Sequence, residues 1–258
     1  MNLLNLSSEN EIFWKLLVDT STDWLLIEKR NLQTLQTSFD VLDLHSQEFI
    51  LKDMQLWESW WLSAAWIHQK KIVFSLYEQE GSPIGKGIIV YDIATRNILW
   101  QNLDLNFFGA DRQQNCVFLR KNLGNIQAQA YDLHTGQQKQ EQLQKNDENL
   151  LGYNWASVYN PENRFYKDLQ TFIHQKTQQM ALLPIHYAET PNYICMVYGI
   201  EFEEKFAYFL LITDIAGNIE IYEKIGTKPN VSFFVYGSYL IVFHTKEIRL
   251  YFLKNKTL

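Results

Sequence analysis

The side chains best suited to proton transfer or metal binding near neutral pH are six histidines: His45, His68, His134, His174, His186 and His244. No two lie within four positions of each other, so no local pair presents two imidazoles on one helix face as HExxH does. A histidine site would have to be assembled by the fold from distant segments. Paired acids occur at Glu203-Glu204 and Asp147-Glu148, both in polar stretches that read as loops. Carboxylates of the glycosidase kind are defined by their separation in space, which spacing in sequence does not show. GSPIGKG (81–87) has the Gly-Lys end of a phosphate loop, but Glu80 stands where the first glycine is needed, and a strand follows instead of a helix. It reads as a hairpin loop. GxSxG, HExxH and GxGxxG are all absent from the chain. Cys116 and Cys195 sit in strand-type runs (NCVFL, YICMV) without metal-ligand spacing, and read as buried reduced thiols. No catalytic residue and no metal ligand is therefore assigned, and no cofactor is expected.

The remaining chemistry is aromatic. WESWWLSAAW (57–66) carries Trp57, Trp60, Trp61 and Trp66. On a regular strand neighbours point to opposite faces, so Trp60 and Trp61 would diverge, one into a core and one toward a rim. Core packing is the expected role of these rings; the alternative is that an exposed one serves as a stacking platform or partner hot spot. No binding residue is assigned; a site is expected where the repeats differ, at 57–66 or at the helix that interrupts them.

The elements that must position these groups repeat. GIIVYDIATRNILW (87–100) runs from a strand into Asp92, a short turn and a second strand. FDVLDLHSQEFIL (39–51), AQAYDLHTGQQKQ (128–140) and FLLITDIAGNIEIY (209–222) do the same with Asp43, Asp132 and Asp214. An Asp side chain accepts backbone N–H groups two residues on, and a Gly or Asn nearby tolerates the left-handed conformation of a tight hairpin. Gly136, Gly217 and Asn218 fit that requirement; Gln47 and Arg96-Asn97 fit less well, so those two turns are expected to be longer or bulged. His45 and His134 share one turn position, which predicts a solvent-exposed turn role. Trp100 is expected to pack between blades.

The Asp residues are 49, 40 and 82 apart. A period near 40 with four short strands per unit is the pattern of a β-propeller. Four strands are readable around 57–103 and again around 105–145. A unit near the C-terminus reads LLPIHYAE, NYICMVYGIE, FAYFLLITD, NIEIYEKIG. The last has three strands, and LLNLS (3–7) is expected to supply its fourth. The repeat is interrupted by NPENRFYKDLQTFIHQKTQQ (160–179). Asn160 suits an N-cap, Pro161 the first helical position and Glu162 the positive end of the dipole. Phe165, Leu169, Phe172 and Ile173 form one apolar stripe. The expected fold is an all-β, single-domain β-propeller over 1–258. It has about five blades, or alternatively six, and one inserted α-helix near 160–176.

The hairpins IVYDIATRNILWQ and AYDLHTGQQ resemble the blades of quinoprotein-type propellers (PQQ-like repeats). The longer pattern of WESWWLSAAW, KGIIVYDIATRNILWQN, VYNPENRFYKDLQTFI and SFFVYGSYLIVF is similar to a bacterial family of propeller-like domains of unknown function. That resemblance implies a fold and no chemistry, and it offers no catalytic residue to carry over. The quinone cage is not supported either: there are no adjacent cysteines, and Thr-Gly is intact only at Thr135-Gly136.

A net charge of −6 gives no electrostatic basis for binding nucleic acid or an anionic membrane. The aromatic content of 15% agrees with β structure. The N-terminus lacks the positive and apolar regions of a secretory signal, and no apolar run approaches 18 residues. A cytoplasmic location is expected. The function expected is a non-catalytic scaffold that binds a protein or small ligand. The alternative is a hydrolase acting on a glycan or lactone at a channel mouth.

Overall fold

The structure, a computed structural model, describes residues 3–57, 60–77, 85–121, 127–140, 153–202, 205–227 and 231–253. It divides into two compact units, Asn10–Gly152 and Met1–Glu9 with Tyr153–Leu258.

Strand β1 (Leu3–Ser7) belongs to the second unit. The first unit then contains three antiparallel sheets in simple meander order. The first sheet is β2 (Ile12–Asp19), β3 (Trp24–Asn31), β4 (Gln36–Asp43) and β5 (Phe49–Met54). The second is β6 (Leu62–His68), β7 (Lys71–Tyr77), β8 (Gly85–Asp92) and β9 (Asn97–Asn102). The third is β10 (Asn106–Asp111), β11 (Cys116–Arg120), β12 (Gln129–Asp132) and β13 (Gln138–Lys139). The last strand covers two residues of the polar stretch that the sequence marks as an outer strand.

Successive side chains on a strand point to opposite faces, so a sheet packed on both sides needs apolar residues in both phases. β7 and β8 satisfy this. Phe74 and Ile89 join Leu26, Phe39 and Val41 of the first sheet, with Phe39 and Phe74 edge to face at 4.7 Å. Val73 and Val90 join Ala110, Val117 and Leu133 of the third sheet. Trp100 seals this second layer as expected: its Nε1–H donates to the Leu133 carbonyl at 2.9 Å. The ring lies against Gly136, where an added Cβ would come within 2.7 Å of it. Gly136 also has φ +68°. Gly136→Ala is therefore expected to cost about 1–3 kcal/mol through left-handed strain and overpacking. Urea denaturation measures this loss.

The hairpin turns follow the Asx pattern. Oδ1 of Asp43, Asp92 and Asp132 accepts the N–H groups two and three residues on, at 2.8–3.0 Å. Asp111 does likewise at a turn absent from the repeat alignment, and Asp19 accepts the N–H two residues on, at Ser21. Asp214 instead accepts the N–H of Asn218, four residues on. Of the longer or bulged turns expected at Gln47 and Arg96, the bulge is present, since β4–β5 and β8–β9 shift register beside them; the turns are not longer, because both residues adopt the left-handed conformation themselves, with φ +60° and +57°, at the place Gly136 occupies in its turn. The Asp side-chain bonds hold the same turn without glycine.

In the second unit, β14 (Asn154–Trp155) and β15 (Ser157–Tyr159) precede helix α1 (Tyr166–Thr177). Next come β16 (Ile185–Glu189), β17 (Tyr193–Phe202), β18 (Lys205–Asp214) and β19 (Ile219–Gly226). The chain ends with β20 (Ser232–Tyr236), β21 (Tyr239–His244) and β22 (Glu247–Phe252). One sheet is ordered β15-β16-β17-β18-β19 and the other β1-β22-β21-β20-β14. β1 pairs antiparallel with β22 from Leu3↔Tyr251 to Ser7↔Glu247, so the N-terminal strand completes the last sheet as expected. The segment 154–159 was not foreseen: it pairs with the first strands of two sheets in succession, β20 and then β16.

Cys195, Val197, Leu210 and Ile212 pack on Phe233, Leu240 and Val242 of the neighbouring sheet. The opposite phase (Met196, Tyr198, Leu211) is covered by Tyr166 and Ile173 of the helix. The helix thus lies on a sheet face. It begins at Tyr166, not near 160, which corrects the expected start. The Asn160 carbonyl takes the Asn163 N–H at 2.8 Å, and the Asn163 side chain takes the Phe165 N–H at 2.9 Å, so the capping groups are spent on two preceding turns. Packing sets the start: the single proton of the Tyr166 hydroxyl is shared between the carbonyls of Ala181 and Leu183, at 3.2 and 3.1 Å. Ile173 of the expected stripe is buried and Leu169 and Phe172 are half-buried, whereas Phe165 is exposed.

Outer strands β5, β9 and β19 each carry a register shift against the strand they pair with. Bulged edges do not template further pairing well.

Candidate functional site

The first unit gathers its polar groups at two ends. At the end where β2 turns into β3, Asp19 is fully buried. Its Oδ1 accepts the N–H and hydroxyl of Ser21, and its Oδ2 accepts the Thr22 hydroxyl and the Lys70 N–H of the second sheet. Burial alone would push this carboxyl up. The His68 imidazole beside it and the Ser21 and Lys70 donors outweigh that, holding it well below the usual carboxylate range. His68 Nδ1 lies 3.8 Å from Asp19, and Nε2 is 2.9 Å from Asn115 Oδ1 of the third sheet. Trp66 stacks on the imidazole at 5.0 Å. His134 reaches the same end, its Nε2 3.0 Å from Gln69 Oε1, and Arg112 reaches back to the Val18 carbonyl.

A buried Asp–His pair raises the question of acyl transfer. In a triad the nucleophile's hydroxyl meets the imidazole and the carboxylate meets its far nitrogen. Here both nearby hydroxyls, Ser21 and Thr22, donate to the carboxylate, and the far nitrogen holds Asn115. The group clamps three hairpins together.

The other end of β2, β3 and β6 is arranged differently. Glu28 is fully buried in the middle of an apolar strand. Its Oε2 accepts the Ser63 hydroxyl and the Ala64 N–H, both at 2.9 Å. Its Oε1 accepts Nε and Nη2 of Arg30 at 3.1 and 2.9 Å. Lys15 Nζ donates to Ser63 Oγ and the Ala64 carbonyl. Burial lowers the Lys15 ammonium; Glu28 opposes the shift and Arg30 adds to it. The oriented guanidinium meets two indoles, its Cζ lying 4.5 Å from the centroid of Trp14 and 5.3 Å from that of Trp60. Trp14 stands at the register shift between Phe13 and Lys15 and is 54% exposed. A bulge re-aims a side chain off the regular alternation, which is how an indole comes to face solvent here. Next to this group Lys29 is held by Asp40, Asp53 and Glu11, a self-contained ion cluster.

In the second unit an open cleft of about 510 Å³ is lined by Ser8, Glu9, Gly226, Thr227, His244, Lys246 and Glu247. His244 donates from Nε2 to Glu247 and accepts the Lys246 N–H at Nδ1, so both ring nitrogens are engaged. Glu247 also takes Arg249 Nε, Arg249 reaches Glu223, and Glu223 accepts the Tyr251 hydroxyl.

The sequence-derived candidates distribute as follows. Trp57 is exposed, Trp60 and Trp61 are half-buried, and Trp66 is buried. Trp60 and Trp61 precede β6 in a turn, so strand alternation does not govern them; their rings meet edge to face at 6.4 Å. His45 and His134 occupy exposed Asx turns as expected, and His174 is exposed on α1. His186 is half-buried near Ser232. Cys116 and Cys195 are buried and form no disulfide; burial pushes the Cys195 thiol up to about 12. Glu80, Asp147, Glu148, Glu203 and Glu204 lie outside the described residues, as does 81–84 of the GSPIGKG loop; Gly85 opens β8. Among the described residues no group of three or more His, Cys, Asp or Glu is placed to hold a metal ion. No helix among them is long and apolar enough to cross a membrane. Trp14, Lys15, Glu28 and Arg30 were missed by the sequence reading.

Three four-stranded meanders and two five-stranded antiparallel sheets, one of them edged by β1, define a mostly β protein built from propeller-type blades. Residues 18–100 match a family described as a domain of unknown function (DUF4905). No curated protein matches the chain. Among solved structures it is similar to a Dos1 propeller, with 13% identity over 96% of this chain and 55% of that one, at TM-score 0.31. It is similar to a eukaryotic initiation factor, with 12% identity over 92% and 58%, at TM-score 0.29. It is also similar to hydrazine synthase of Kuenenia stuttgartiensis, with 13% identity over 88% and 60%, at TM-score 0.30. The chain spans 55% to 60% of the length of these structures.

Proposed function

We propose that this chain is a non-catalytic blade scaffold that binds a partner through the Trp14–Arg30–Trp60 end of its first unit. One contrast carries the reading. At the turn end, acid, imidazole and hydroxyls are bonded to one another across hairpins. At the opposite end, a buried carboxylate orients an arginine beside two indoles, one of them exposed. Holding an indole in water beside a fixed cation has no benefit to the core; it is the composition of a recognition surface. The reading includes a single propeller-like domain over 1–258 with quinoprotein-like blades, a bacterial source and a cytoplasmic location. The partner is a protein or small ligand, and neither nucleic acid nor membrane is involved.

The competing hydrolase reading predicts turnover. A panel of nitrophenyl glycosides and lactones should show none above the uncatalysed rate. Turnover abolished by His68→Gln in a folded protein would overturn the proposal.

A further inference from the structure

The proposed binding end holds a guanidinium in a geometry that points to the chemistry of its ligand. Arg30 is bonded to the buried carboxylate of Glu28, and Lys15 donates to Ser63 Oγ and the Ala64 carbonyl, whose residue also supplies an N–H to that carboxylate. Both cations stand beside it, and Lys15 is already lowered by burial and by Arg30. Glu28 faces Arg30 directly, while the three carboxylates of the neighbouring group, Glu11, Asp40 and Asp53, face Lys29. The guanidinium has a defined unused side. Glu28 takes Nε and Nη2; among the described residues Nη1 makes no hydrogen bond, and the Arg30 side chain is 14% exposed. An arginine held by one carboxylate and stacked on indoles presents its remaining N–H groups in a fixed plane, the geometry that suits a second planar carboxylate. Beside it Trp14 offers an exposed apolar ring.

We propose that this end binds a carboxylate ligand with a flat apolar face, the carboxylate on Arg30 Nη1 and the face on Trp14. The inference rests on the binding reading above and names its ligand class. Aryl acids and sugar acids share this chemistry.

The test is a calorimetric titration of the full chain with benzoate, benzamide, glucuronate and glucose. Each acid should bind at least tenfold more tightly than its neutral counterpart. Tighter binding of benzoate assigns the site to aryl acids; tighter binding of glucuronate assigns it to sugar acids. Trp14→Ala removes only an exposed ring, and should weaken both acids at least fivefold at an unchanged urea midpoint. Arg30→Lys keeps the charge and loses the planar fork, and should weaken them tenfold. Lys246→Ala in the other unit should change nothing. Equal affinity for acid and neutral forms, binding unaffected by Trp14→Ala and Arg30→Lys, or no heat with any of the four compounds would overturn the inference. Loss of native-partner capture in Trp14→Ala alongside silent titrations would leave the scaffold reading standing and remove only the carboxylate.

Discussion

Glu28→Ala is expected to destabilise the first unit by about 3–5 kcal/mol, because removing one member of a buried charge group leaves the others uncompensated. Glu28 is fully buried and takes four donors: Nε and Nη2 of Arg30, the Ser63 hydroxyl and the Ala64 N–H. Without it, Lys15 and Arg30 remain half-buried side by side, and the Ala64 N–H loses its acceptor. Glu28→Gln keeps an acceptor oxygen without the charge, so its loss should be smaller. Trp14→Ala, at an exposed position, should stay within about 0.5 kcal/mol of wild type. Urea denaturation of the three variants, followed by circular dichroism, gives the ranking. A neutral Glu28→Ala would mean that Arg30 and Lys15 find water in place of the carboxylate, and the oriented-arginine account would fail.

Asp19→Ala is expected to cost about 2–4 kcal/mol, since it orphans donors from two hairpins at a buried position. The effect has a pH signature. The folded-state carboxyl is held below its ordinary value, so its contribution is present above the usual carboxylate pKa of about 3.9 and is lost as pH falls toward the folded value. The stability gap between wild type and Asp19→Asn should therefore be widest near pH 6 and narrow toward pH 3. A gap independent of pH would show that hydrogen bonding common to Asp and Asn, and not the ionised carboxylate, holds the clamp.

The fold was legible where its determinants are local. Asp43, Asp92 and Asp132 organise the backbone two and three residues away, and the spacing of these turns exposes the repeat. β1 was found by counting strands in the last unit. The helix start was misread because Asn160-Pro161 satisfies the local rules for a cap while Asn163 diverts the bonds and Tyr166 anchors the packing. The candidate site was nearly invisible for a related reason. Lys15 and Glu28 meet Ser63 and Ala64 across sequence separations of 35 to 49 residues. Trp14 owes its exposure to a bulge that no residue type announces. One signal was available: Lys15 within IFWKLLVD and Glu28-Lys29-Arg30 within WLLIEKRN place charge inside otherwise buried strands. Charges there must be paired, and a paired cluster between two sheets is where binding groups can be held rigidly. The Trp-rich stretch overlaps the proposed end through Trp60, which reaches Arg30, whereas Trp66 is core.

The most direct test is the indole N–H spectrum of the full chain, in which eight tryptophans report separately on both units. On titration with glucuronate or benzoate, the Trp14 and Trp60 signals should shift together and saturably. Trp66 and Trp100, in the core between sheets, and Trp155, in the other unit, should stay fixed. Shifts at Trp155 with Trp14 and Trp60 unmoved, or no saturable shift at Trp14, would contradict the account.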